Sequence, residues 1–246
     1  MKLILAVPTY GPTDPQANRS LRAAIMHAGR HGHEWLGDAS PDREAFAHAR
    51  EHVVKSVLEA EDKDPEIYKD AAVVWIDSDI ILPIDAITTI AHRGHDFITG
   101  IYVQRNCENY PLIAHFNGSS FNWIVQFSKN SIIPIDGCGF GIVLTSLKLL
   151  RAVPKPAFEY VKYSEDFDFC LKAKKAGFGL FADTSVCCGH LSDPKPVLLE
   201  DFIEKHRDLW EGKGNVRSII EKGNVVISKN ESDQRSGEAV HDSVAV

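Results

Sequence analysis

Residues 71–82, AAVVWIDSDIIL, constrain this chain more than any other stretch. Val73, Val74, Trp75 and Ile76 make an unbroken β-branched and aromatic run, the pattern of a strand buried on both faces. Two acids, Asp77 and Asp79, close the run around Ser78, and a second apolar run at 80–82 follows before Pro83. Burying an unpaired carboxylate is costly, so two of them behind such a strand call for a partner. A divalent cation at the strand's carboxyl end, where open α/β sheets place their ligands, is one. A turn in which one Asp caps the next segment is the simpler alternative for a bare Asp-x-Asp. The position after a buried strand, and the rest of the chain, favour the cation.

The bulk properties leave room for this. With 246 residues, 44% hydrophobic and 25% charged, the chain can bury a sizeable core and is not disordered throughout. A formal net charge of −7 argues against gripping nucleic acid by overall charge. No stretch approaches the length of a membrane span. MKLILAVPTY lacks a signal-peptide core and cleavage site and reads as a first strand. Five cysteines, odd in number and irregularly spaced, suggest reduced thiols and a cytoplasmic setting. Cys187, Cys188 and His190 are half of a zinc pattern, and no second pair stands at ligand spacing.

In chain order, 3–7 reads as a buried strand ending at Pro8, with Thr9 and Tyr10 in the loop at its carboxyl end. The spacing predicts a helix over 18–30 and a short strand over 33–36. Ser40 and Pro41 read as the N-cap and first residue of the next helix. Phe46, Val53, Val54, Val57 and Leu58 share one face of that helix, and Arg50 falls on the same stripe. A guanidinium there ordinarily snorkels to the edge of the face, and otherwise meets an anion; Arg43, seven residues earlier and on nearly the same face, adds only slightly to the anion reading. Residues 61–70 read as a polar connection, 84–92 as a short helix and 96–103 as a strand leading to Gln104 and Arg105. Segments 111–116 and 121–127 pair around Asn117-Gly118.

Gly137, Gly139 and Gly141 alternate before a strand, in a spacing that fits neither a dinucleotide nor a phosphate-loop fingerprint. They read as a loop that lets backbone approach a ligand, or as a bulge entering the strand. Ser164 N-caps a helix whose first turn carries Glu165, Asp166 and Asp168, with Phe167 and Leu171 on the buried face. Segments 179–182 and 184–188 are strand-like and end at Gly189-His190. A histidine straight after an apolar strand, in a chain already carrying Asp-x-Asp, is a candidate ligand. An amphipathic helix lies within 195–211, and 229–246 reads as a disordered tail. Alternating β and α, then strand after strand, predicts an α/β fold with a mixed sheet.

The ordered set VPTYG, Ala49-Arg50, VVWIDSDIILP, GCGFG, SEDFDFC and a closing Gly-His resembles the GT-A-fold, family 2-like nucleotide-sugar glycosyltransferases of short bacterial and viral type. The resemblance spans roughly residues 1–191. It implies a Rossmann-like mixed sheet flanked by helices in one domain over 1–195, with a helical extension over 196–228 before the tail. It further implies that Asp79 and His190 ligate Mn²⁺ or Mg²⁺ and that Asp77, beside Ser78, faces the ribose or a metal-bound water. Pro8, Thr9 and Tyr10 would meet the nucleobase, Gly137 to Phe140 would approach the donor sugar or acceptor, and Asp166 or Glu165, alternatively Asp168, would be the general base. Relatives often carry Arg-Asn where this chain has Arg50-Glu51, and no Q-x-x-R-W-type motif follows, so polymerising activity is not expected.

The expected activity is metal-dependent transfer of a sugar from a UDP- or GDP-linked donor to a hydroxyl acceptor: a glycan, a lipid, a protein or a modified nucleic acid base. A phosphoryl-transfer enzyme of the haloacid-dehalogenase type would carry its Asp-x-Asp near the N-terminus, and here it begins at residue 77. A nucleotidyltransferase would need a basic glycine-rich loop after the first strand, which VPTYGPTDPQ is not. A catalytically inactive sugar-nucleotide-binding relative is the remaining alternative.

Overall fold

A computed structural model describes residues 1–212 apart from Tyr10, Pro12, Asp42, Arg43 and Cys107, together with the backbone of Val225–Val226. The expected contacts of Tyr10 and Arg43, and the tail at 229–246, lie outside the described residues.

The run that opened the sequence reading becomes β3 (Ala72–Ile76), every residue of it buried. It sits near the middle of a seven-stranded sheet, beside β1 (Lys2–Ala6), which in turn pairs with the edge strand β2 (Glu34–Asp38). These three run parallel. Beyond β3 the order continues through β10 (Ile142–Ser146), β5 (Phe97–Ile101), β11 (Leu180–Cys187) and β8 (Ile132–Ile135). β10 is antiparallel to both neighbours and β8 is antiparallel to β11, so the sheet is mixed.

Period-two alternation sends successive side chains to opposite faces. Ile4, Ala6, Val73 and Trp75 pack with Val53, Val54 and Val57 of α2 (Phe46–Lys63), with α5 (Leu147–Ala152) and with α6 (Glu165–Lys175). Leu3, Leu5, Val74 and Ile76 pack on the other side against α1 (Pro15–Arg30) and α4 (Ala86–His92). Each large apolar side chain so buried contributes about 1.5–3 kcal/mol of transfer free energy. Trp75 also needs a polar partner, and its indole N–H donates to Thr145 Oγ1 at 2.8 Å on β10.

The helix starts follow local chemistry. Asp14 accepts from Gln16 N and Ala17 N, with Pro15 in the first turn of α1. The Ser40-Pro41 start does not form: α2 begins at Phe46, because the Ser40 hydroxyl accepts from Val7 N at 2.8 Å and ties the loop after β2 to the end of β1. The polar connection expected at 61–70 is the end of α2 followed by α3 (Pro65–Tyr68). β8 and α5 are elements the periodicity did not reveal. β8 is an edge strand whose Pro134 points outward, and α5 is capped by Ser146 Oγ accepting from Leu149 N.

A smaller sheet joins β6 (Ile113–Phe116), β7 (Phe121–Ile124), β9 (Gly137–Cys138) and β13 (Val225–Val226). The β6–β7 hairpin turns where expected, with the Asn117 carboxamide oxygen accepting from Ser119 N and Ser120 N. A two-residue ribbon pairs β4 (Ile80–Ile81) with β12 (Gly189–His190). The helix expected within 195–211 is broken at His206 into α7 (Leu199–Lys205) and α8 (Arg207–Trp210), and Leu199 and Phe202 are buried in the same core as the sheet. No helix among the described residues is long and apolar enough to cross a membrane.

Candidate active site

The carboxyl ends of β1, β3, β5 and β11 share one edge of the sheet, and the candidate residues collect there. β3 leads directly into Asp77, whose N–H donates to Gly141 O at 3.1 Å, and Ile80 N then donates back to Asp77 O. Around this turn, which carries the half-buried Ser78, Asp77 and Asp79 meet different partners.

Asp77 meets Arg50. Of the two alternatives for that guanidinium, the structure shows the anion, twice over. Nη2 stands 2.9 Å from Asp77 Oδ1 and Nη1 stands 2.5 Å from Glu165 Oε1. Arg50 is 3% exposed, and its guanidinium lies over the rings of Phe140, Phe46 and Phe158. Burial alone would favour a neutral arginine; Asp77, Asp166 and Glu165 outweigh it and raise its pKa further. The neighbouring Glu51 faces away from this cluster, accepting from Ala157 N and Phe158 N.

The three acids at the start of α6 divide by environment. Glu165 is buried and committed to Arg50. Asp168 is buried too, and its Oδ2 accepts from Val161 N, Lys162 N and Tyr163 N at 2.9–3.2 Å, folding the loop before the helix. Asp166 is half-buried, with Oδ1 accepting from Phe167 N and from the Ser164 hydroxyl. Burial pushes its carboxyl up to about 6, against the pull of Arg50. A carboxyl that changes protonation near neutral pH is suited to moving a proton.

The glycines differ from expectation. None of Gly137, Gly139 and Gly141 has a positive φ. The room their missing Cβ atoms leave is filled by the protein's own rings rather than held open for a ligand. A Cβ on Gly139 would sit 2.1 Å from the Tyr102 hydroxyl, one on Gly141 2.5 Å from the same ring, and one on Gly137 2.6 Å from Phe121. Tyr102 is buried, accepts from Gly141 N at 3.0 Å, and lies in the fields of Asp77 and Asp166, which with burial raise its pKa well above the usual value. Sequence reasoning missed Tyr102, since a tyrosine in an apolar strand reads as core.

Asp79 meets His190. The β4–β12 ribbon sets His190 opposite Ile80, and Leu191 N donates to Asp79 O at 2.8 Å. His190 Nε2 stands 3.4 Å from Asp79 Oδ2, and Nδ1 lies 2.7 Å from Val103 O, a group that only accepts. Nδ1 therefore carries a proton. With the ring neutral, Nε2 turns a lone pair toward the carboxylate, and the two form a pair of ligands for a cation. The two atoms are close enough to share a small divalent ion once nothing else holds the carboxylate. The residues thus fit a divalent ion held by two side chains with its other positions open. No group of three or more His, Cys, Asp or Glu suited to a metal occurs among the described residues, and the thiols of Cys187 and Cys188 form no zinc cluster with His190. Arg105, also missed by the sequence reading, places Nη1 2.9 Å from the same Asp79 oxygen. Burial works against ionisation of Asp79, but with no cation between them an imidazolium at His190, donating from Nε2, and then Arg105 outweigh it and hold its carboxyl below the usual range; a bound cation would replace that Nε2 proton.

Pro8 is buried and Thr9 half-buried at the end of β1, next to β3, with Thr9 N 3.4 Å from Pro41 O.

No family model matches the chain, and no curated protein does. Solved structures resemble it. A crystal structure of A197 from STIV superposes with a TM-score of 0.56 at 17% identity, covering 81% of this chain and 91% of that one. GalNAc-T7, crystallised with UDP, GalNAc and Mn²⁺, superposes with a TM-score of 0.52 at 8% identity, covering 89% of this chain. The chain spans about half, 54%, of the GalNAc-T7 structure. Identities this low speak to the fold alone. With its seven-stranded mixed sheet between helices, and its acids at the carboxyl edge, the chain has the fold of the GT-A-type glycosyltransferases.

Proposed function

We propose that the protein is a divalent-metal-dependent glycosyltransferase that moves a sugar from a nucleoside-diphosphate donor, UDP- or GDP-linked, to a hydroxyl acceptor. The observation that carries this is the facing of Asp79 Oδ2 and His190 Nε2 across 3.4 Å, at the sheet edge that also presents Asp77 and Asp166. GalNAc-T7, whose fold this chain shares, was crystallised with UDP and Mn²⁺, which makes them the first probes to try.

Asp79 and His190 would hold Mn²⁺ or Mg²⁺, and the ion would neutralise charge that builds on the leaving nucleoside diphosphate. Arg50 fixes the Asp77 carboxylate, which then orients the donor's ribose or a water on the ion. Pro8 and Thr9, at the end of β1, would flank the nucleobase. With Glu165 taken by Arg50 and Asp168 by backbone, Asp166 is the acid left to act as base. It accepts the acceptor's hydroxyl proton as that oxygen bonds to the anomeric carbon, and the bond to phosphate breaks with its electron pair on the diphosphate.

The test is thermal stabilisation by UDP-, GDP-, CMP- and dTDP-sugars with and without Mn²⁺, run on the wild type and on Asp79→Ala. One nucleotide should stabilise the wild type in the presence of metal only, and the variant should not respond, because ligand bound to the native state raises its apparent stability. Silence from every donor would favour the inactive-relative reading.

A further inference from the structure

Arg105 occupies the position that the proposed function gives to a metal ion. Its Nη1 contacts Asp79 Oδ2 at 2.9 Å, and that oxygen is the one facing His190 Nε2. Nη1 also donates to the Leu191 carbonyl at 3.3 Å. The side chain is 45% exposed. It stands on the segment between Val103 and β6, where the described residues form neither helix nor strand and the Asn106 carboxamide oxygen accepts from Glu108 N and Asn109 N. A guanidinium and a divalent cation cannot both sit against one carboxylate oxygen without repelling each other.

We propose that Arg105 is a cation surrogate: it closes the Asp79–His190 site in the free protein, yields the carboxylate to a divalent ion, and turns its freed guanidinium to the diphosphate that arrives with that ion. This rests on the glycosyltransferase reading and adds a competition to it. Until the ion arrives the guanidinium keeps one positive charge against the Asp79 carboxylate, and the ion that replaces it brings two. A planar guanidinium is also suited to meeting phosphate oxygens two at a time. Arg105 is therefore a positioning residue in the free protein and a diphosphate contact once the ion is bound.

The test is binding of Mn²⁺ alone, followed by paramagnetic resonance of the free ion, to the full chain and to Arg105→Ala. Removing the competitor should tighten Mn²⁺ binding about fivefold, the scale of a partly exposed ion pair. The gain should persist at about 0.5 M salt, where through-space repulsion between the exposed guanidinium and the ion is screened and direct competition for the carboxylate is not. With Mn²⁺ saturating, inorganic pyrophosphate should bind Arg105→Ala about tenfold more weakly. Equal Mn²⁺ affinity in the two proteins, or a gain that vanishes at high salt, overturns the surrogate role and leaves the metal site standing. Absence of Mn²⁺ binding by either protein overturns the metal-dependent reading as well.

Discussion

Arg50 and Glu165 stand 115 positions apart in the chain and 2.5 Å apart in the structure, both buried. Together with Asp77 on its other nitrogen, this makes one arginine the charge that permits two carboxylates under the candidate site. Removing one partner from such a cluster strands the others. Arg50→Gln should therefore destabilise the protein by about 3 kcal/mol, the lower end for a broken buried pair because Asp77 retains some access to water. Urea unfolding at neutral pH measures this, and a loss below about 1 kcal/mol would mean that the pair is structurally idle.

Asp166 links activity and stability to pH. Its folded pKa of about 6 lies above the unfolded value, so between the two the native state holds the extra proton and stability falls as pH rises. Above pH 6 the ionised carboxylate costs the fold about 3 kcal/mol. Asp166→Asn should thus be more stable than wild type at pH 7.5 by about 3 kcal/mol, and no more stable at pH 4. Transfer activity in the wild type should rise with pH through about 6, as the base ionises, and be lost in the variant. A variant with unchanged turnover would move the base elsewhere.

Asp168 gives the contrasting case. Its Oδ2 serves three backbone N–H groups of the loop before α6. Asp168→Ala should lower stability by about 1–3 kcal/mol, the scale of backbone donors that lose their acceptor, without moving the acid limb of the pH–rate profile. A displaced limb would make Asp168 the titrating acid.

Gly139 and Tyr102 should behave as a coupled pair. Gly139→Ala drives a Cβ to 2.1 Å from the Tyr102 hydroxyl, and the next ring atom is 3.1 Å away. Overpacking of this kind costs about 1–3 kcal/mol. Tyr102→Phe removes the offending oxygen, so the double variant should recover part of the loss. Thermal melts of the four proteins in a cycle give the coupling. Strict additivity would mean that the ring moves aside at no cost.

What the sequence made legible follows from where the information is local. β3, β5 and α4 were readable because uninterrupted apolar runs and helical spacing are properties of neighbours, and the β6–β7 turn because Asn117-Gly118 carries its own turn chemistry. The candidate set at the sheet edge was readable from acids placed behind apolar strands. The failures that bear on the site are non-local. Ser40 looked like a helix cap until Val7, 33 positions away, claimed its hydroxyl. Arg50 carried two readings because the anion that decides between them is 115 residues downstream. Tyr102 and Arg105 acquire meaning only from Gly139 and Asp79, which other strands bring to them. The insertion of antiparallel β10 between β3 and β5 is likewise invisible in residue spacing.

That insertion has a consequence for the chain as it is made. Strand β10 follows β5 in the chain, yet it must lie between β3 and β5, and β11 must then close on the far side of β5. While the N-terminal half alone has left the ribosome, β3 has its β1 neighbour but lacks its other one, and Arg50 has met Asp77 but not Glu165. At about 5–20 residues per second, that half waits several seconds for the rest. The unpaired edge of β3, rather than any exposed loop of the finished molecule, is then the surface a chaperone would have to cover.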